Sequence, residues 1–167
     1  MSALRLYVLV FVAGLCSLGV ELTAARLLAP FFGTSTLVWA NVIGLTLLYL
    51  SVGYWLGGRI ADRWPTPRHL GYCVLLAAAA IAILPFITRP FLSAATDAFS
   101  SVQSGVVLSS FAAVLIMFAV PITALGAVAP WAIRLAVHSV EEAGRVSGRL
   151  YALSTVGSLL GTFVTVL

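Results

Sequence analysis

The chain has 167 residues, 62% hydrophobic and only 8% charged, with a mean hydropathy of +1.13. Soluble domains carry about 45–50% apolar and about 25% charged residues, and a globule this small keeps much of its surface wet, so a water-soluble enzyme and a disordered chain are both excluded. The formal charge is +4, with all nine basic residues Arg. They are spread between apolar segments, which is a pattern of membrane topology and not of a nucleic-acid surface.

About 20 apolar residues cross the hydrocarbon core of a bilayer, and the sequence predicts five such spans, at 4–28, 37–56, 70–87, 105–125 and 148–167. The expected fold is all-α, a polytopic transmembrane helical bundle forming one domain over 1–167. Pro30 and Gly33 are expected to end the first span, Gly57 and Gly58 the second, and Arg89 and Pro90 the third. Pro121 is expected to kink the fourth. The connections at 57–69 and 126–147 are read as loops on one side, and that at 89–104 as a polar loop on the other. A cleaved signal peptide does not fit the first span. Its apolar stretch exceeds the about 7–15 residues of a signal core, and Glu21 interrupts it.

Arginine counting orients the bundle. With a cytoplasmic N-terminus, Arg5, Arg59, Arg63, Arg68, Arg134, Arg145 and Arg149 lie inside, and only Arg26 and Arg89 lie outside. That bias predicts a multi-pass protein of the cell's inner membrane. An odd number of spans, ending without a polar flank, suggests one part of a larger architecture. A homo-oligomer and a separate membrane or synthase subunit are the expected partners besides the lipid bilayer. Nucleic acid is not expected.

Glu21 is the most informative residue. A carboxylate at the centre of a membrane helix costs about 2.5–3.5 kcal/mol on insertion scales. Gly14, Ser17, Glu21, Ala24 and Ala25 share one small, polar face. Arg26 is five positions away, which is poor same-face spacing, so a partner on another helix is expected. Asn41 is the candidate, on a stripe with Leu45, Tyr49, Gly53 and Gly57. Glu21, Asn41 and Tyr49 form the proposed substrate-binding set. A purely structural interhelical hydrogen bond is the alternative for this pair.

Gly58, Asp62 and Arg63 give G-x-x-x-D-R at the end of the second span. Their position resembles that of the loop signature of major facilitator transporters, and a gating or structural role follows from the resemblance. The basic tail of that signature is missing, because Pro65 and Pro67 precede Arg68. Gly157 and Gly161 form a G-x-x-x-G pair, which allows close helix packing. His69 and His138 read as interfacial residues, and Cys16 and Cys73 as small hydrophobes. No metal site, cofactor fingerprint or catalytic constellation is read.

Three blocks carry a wider resemblance: GLCSLGVELTAARLLAPFFGTS at 14–35, VWANVIGLTLLYLSVGYWLGGRIADRWP at 38–65, and LGAVAPWAIRLA with GRLYALSTVGSLLGTF at 125–136 and 148–163. Together they resemble the membrane part of the spermidine synthase-like integral membrane proteins, in which a major-facilitator-like region is fused to a spermidine synthase. The resemblance implies a fold like part of a major facilitator half. Glu21, Arg26, Asn41, Gly58, Asp62, Arg63, Arg134, Tyr151 and Gly157 match its membrane motifs. In that family the helices accompany a Rossmann-type aminopropyltransferase domain, and none of these 167 residues reads as that domain. The chain is therefore expected not to be an enzyme. Transport or handling of polyamine-like small amines is the expected function, with a non-catalytic anchor or scaffold for a synthase as the alternative.

Overall fold

In the computed structural model, residues 3–98 and 105–167 are described. They form six helices: α1 (Ala3–Phe32), α2 (Thr36–Arg63), α3 (Pro67–Ala98), α4 (Gly105–Met117), α5 (Ala119–Ala136) and α6 (Val140–Val166). Among the described residues there is no strand. Five of the helices, all but α4, are long and apolar enough to cross a membrane.

The helices run past the expected span ends. Hydropathy marks where a chain leaves the hydrocarbon, whereas a helix ends where its backbone bonding stops. Pro30 does not end α1; Gly33 does, with φ +74°. That left-handed conformation strains any residue with a Cβ. The α1–α2 link is three residues long, and Ser35 Oγ accepts from the Val38 N–H at 3.4 Å. Gly57 and Gly58 do not end α2, which continues to Arg63. Arg89 and Pro90 do not close α3, which continues through Pro85 and Pro90 to Ala98. Most of the expected 89–104 loop is thus helix, and residues 99–104 lie outside the described residues.

The fourth span needs a larger correction. It divides at Phe118 into α4 and α5, and α5 continues to Ala136. The expected kink at Pro121 falls three residues earlier, because a proline ring meets the carbonyl four residues before it. That carbonyl is Met117's, the last residue of α4. The expected loop at 126–147 shrinks to residues 137–139. There the Glu142 carboxylate accepts the backbone N–H groups of His138 (2.8 Å) and Ser139 (3.3 Å), which starts α6 outside the apolar stretch.

Two parallel helix pairs build the bundle. In the α1–α6 pair, a Cβ added at Gly14 would overlap the Ser154 carbonyl oxygen. One at Gly157 would overlap that of Phe11, and one at Gly161 that of Leu15. Ser158 Oγ donates to the Gly14 carbonyl at 3.0 Å. In the α2–α5 pair, Gly53 lies against the Thr123 carbonyl and Gly57 against Ala127. Side chains would hold these backbones apart; small residues let them close to van der Waals contact. Two buried clusters sit above and below this waist. One holds Leu28, Val42, Tyr49, Leu92, Val114 and Phe118. The other holds Leu6, Val10, Leu70, Val128, Trp131 and Leu150.

Candidate functional site: the polar waist and the arginine-rich end

Glu21 is half-buried on α1. It makes no hydrogen bond or ion pair among the described residues. Arg26 is engaged elsewhere: its guanidinium donates to the carbonyls of Thr165 (2.5 Å) and Val166 (3.4 Å) in the last turn of α6. A cation suits that position, because the last carbonyls of a helix carry partial negative charge.

Asn41 and Tyr49 are also bonded elsewhere. Asn41 Nδ2 donates to the Val107 carbonyl (3.2 Å) and to Ser110 Oγ (2.9 Å). The Tyr49 hydroxyl donates to the Leu115 carbonyl at 2.7 Å. Both residues therefore bind α2 to α4, and no hydrogen bond joins Glu21 to Asn41. The expected three-residue set is not assembled. Asn41 and Tyr49 share one stripe of α2, and a stripe in the sequence does not specify which neighbour it meets.

The Tyr49 bond has a local cause. The backbone ladder runs from Phe118 to Val114 (3.2 Å) and resumes from Ile122 to Phe118 (3.1 Å). Carbonyls at the end of α4 need other donors, and Tyr49, only 7% exposed, supplies one. Tyr49→Phe is expected to lower stability by about 1 kcal/mol. In a thermal scan of detergent-solubilised protein that is a fall of roughly 2–4 °C; an unchanged transition would show that the carbonyl finds another donor.

At the far end of α2, Asp62 Oδ1 accepts from Arg134 Nε at 2.9 Å. The pair joins α2 to α5. Its side chains are 72% and 48% exposed, respectively. Exposed pairs contribute about 0–1 kcal/mol, so Arg134→Ala is expected to shift the melting temperature by less than roughly 4 °C. Collapse of the fold in that variant would give the pair a weight that its exposure denies. Arg63 is not part of the pair; its guanidinium lies over the Trp64 ring, 5.3 Å from the centroid. Arg59 lies over Trp55 at 5.5 Å, and Arg68 over Tyr72 at 5.8 Å. Gly58 sits beside Pro130. Arginines paired with amphipathic aromatic rings are the furniture of a membrane–water interface.

A cavity of about 160 Å³ lies at the waist between α1, α2, α5 and α6. Ser17, Tyr54, Ser154 and Ser158 line it with hydroxyls, and Gly14 and Gly126, packed against the backbones of Ser154 and Leu50, border it. Sequence reading singled out Gly14 but neither Gly126 nor this cavity. Its serines come from two helices whose contact was unknown. Cys73 Sγ donates to the Ala124 carbonyl at 3.3 Å, and both cysteines are free. Among the described residues no three His, Cys, Asp or Glu side chains group as metal ligands.

Five long apolar helices, four of them paired through glycines, with arginine and aromatic residues at one end, define an integral, multi-pass membrane protein. The chain matches no protein-family model, no curated protein and no solved structure.

Proposed function

We propose that the chain is a transport-type membrane protein that handles small amines of the polyamine kind. It would sit in the inner membrane with its arginine-rich end, and so its N-terminus, in the cytoplasm. The observation that carries the reading is Glu21, a half-buried carboxylate inside a membrane-spanning helix, without a partner among the described residues. Such a residue is expensive to insert, and a functional role is the default explanation. A structural role asks for a partner side chain, and the two weighed from the sequence, Arg26 and Asn41, are bonded elsewhere.

A single carboxylate matches one ammonium group at a time. A polyamine carries several, and a second copy of the chain would supply another carboxylate. The sequence resemblance to the spermidine synthase-like membrane proteins points to the same ligand class and belongs to this proposal. The scaffold reading rested in part on Gly157 and Gly161 as a surface for a partner. Both glycines face α1 of the same chain, so transport comes first. The test is titration of spermidine, and of a simple monoamine, into the solubilised chain and its Glu21→Gln variant. Binding by the parent with loss in the variant supports the reading. Equal binding by both would remove Glu21 from the site.

A further inference from the structure

Trp131 is 4% exposed, and its indole Nε1 is the one buried side-chain nitrogen or oxygen without a hydrogen-bond partner among the described residues. An unpaired buried donor carries a desolvation cost, and such groups call for an explanation. Its place in the bundle offers one. Val10 and Val128 line the waist cavity. Leu6 and Leu135 line a second cavity of about 510 Å³ at the arginine-rich end, beside Tyr7, His138 and Glu142. Trp131 is three residues from Val128 and four from Leu135, on the same face of α5. It shares one buried cluster with Leu6, Val10, Val128 and Leu150. The two cavities thus lie along one α1–α5 seam, and Trp131, although it lines neither, packs in one cluster with residues that line each.

The geometry points to the waist cavity as the seat of a compact ammonium-bearing solute, closed toward the arginine-rich end by Trp131. The inference rests on the amine reading above and gives it a place. The cavity has room for about five waters at ~30 Å³ each. It offers the hydroxyls of Ser17, Ser154 and Ser158 and the phenol of Tyr54. Of these serines, Ser158 donates to the Gly14 carbonyl, which leaves its lone pairs free to accept. No charged side chain lines the space, so the countercharge for an ammonium group has to come from Glu21 beside it. Glu21 stands one turn beyond Ser17 on α1. Helical side chains lean over the turn N-terminal to them, which carries the carboxylate toward the cavity. When the indole swings aside, its N–H can reach water in the wider cavity, and the closed form's unpaired donor is relieved.

The test uses Ser154→Cys in a chain with Cys16→Ala and Cys73→Ala. The probe is a trimethylammonium-bearing methanethiosulfonate, applied to membrane vesicles whose arginine-rich end faces the reagent. Slow labelling is expected in the parent background, slowed further by spermidine. Closed proteins keep open minor states at about 0.1–10%, so adding Trp131→Ala should speed labelling by about tenfold or more. Trp131→Phe keeps the ring bulk and should stay within about twofold. If Trp131→Ala does not fold, Leu6→Ala, which thins the same partition from α1, carries the same expectation. An unchanged rate in the opened variant would overturn the partition. Labelling indifferent to spermidine, in a chain that still binds it through Glu21, would move the seat elsewhere and leave the amine reading standing. No spermidine binding by the parent chain would end both.

Discussion

Gly157→Leu is expected to cost about 3 kcal/mol or more, since over-packing a close contact forces backbones apart. The thermal transition of the solubilised protein should fall by roughly 6–12 °C. The reason lies in the α1–α6 seam. Even a Cβ at Gly157 would overlap the Phe11 carbonyl oxygen, and a leucine adds three further carbons at the same place. Backbone atoms cannot yield by changing rotamer. Gly161→Leu should behave alike against Leu15, and the two changes share one seam, so their effects should not simply add. Gly144→Ala on the same helix is the control. It has open space around it, and replacing an exposed helical glycine should stabilise by up to about 1 kcal/mol. If Gly157→Leu melts with the parent, α1 and α6 do not pack through these glycines.

Glu21→Gln is expected to separate binding from stability. Hydrogen bonds to charged groups contribute about 1.5–3 kcal/mol, so losing the carboxylate should weaken amine binding by roughly 10- to 100-fold. The fold should be as stable as the parent's or more so, because no described residue bonds to the carboxylate and an amide is cheaper to bury than a charge. A structural role predicts the reverse, a lower melting temperature with binding unaffected. Calorimetric titration and a thermal scan on the same two samples decide between them.

Much of the architecture was legible because the bilayer imposes a simple demand. Runs such as 4–28 and 70–87 must be helices, since hydrocarbon offers no other partners for the backbone. The glycines at 157 and 161 were legible as a packing face, yet not their counterpart; only the fold shows that Phe11 and Leu15 meet them. Helix ends were read too early, as at Gly57, because hydropathy reports solvent and not backbone bonding. Asn41 and Tyr49 were recognised as polar residues at membrane depth, but their bonds run to carbonyls of α4. Backbone acceptors have no sequence signature. Trp131 was missed for a related reason: a tryptophan in an apolar run reads as packing, and an unpaired N–H is a property of its neighbours.

The break at Phe118 bears on how the protein is made. At 1.5 Å per residue, the 13 residues of α4 reach only about 20 Å and the 18 of α5 about 27 Å, against a hydrocarbon core of about 30 Å. Neither piece covers the membrane with length to spare, so the two should leave the insertion machinery together, as one bent segment. The carbonyls bared at the bend then need donors at once. Tyr49 belongs to an earlier helix, which emerges from the ribosome and enters the bilayer before α4 is synthesised, and its hydroxyl takes the Leu115 carbonyl beside the bend. The order of synthesis therefore has α2 waiting, with that hydroxyl already placed, when the bend arrives.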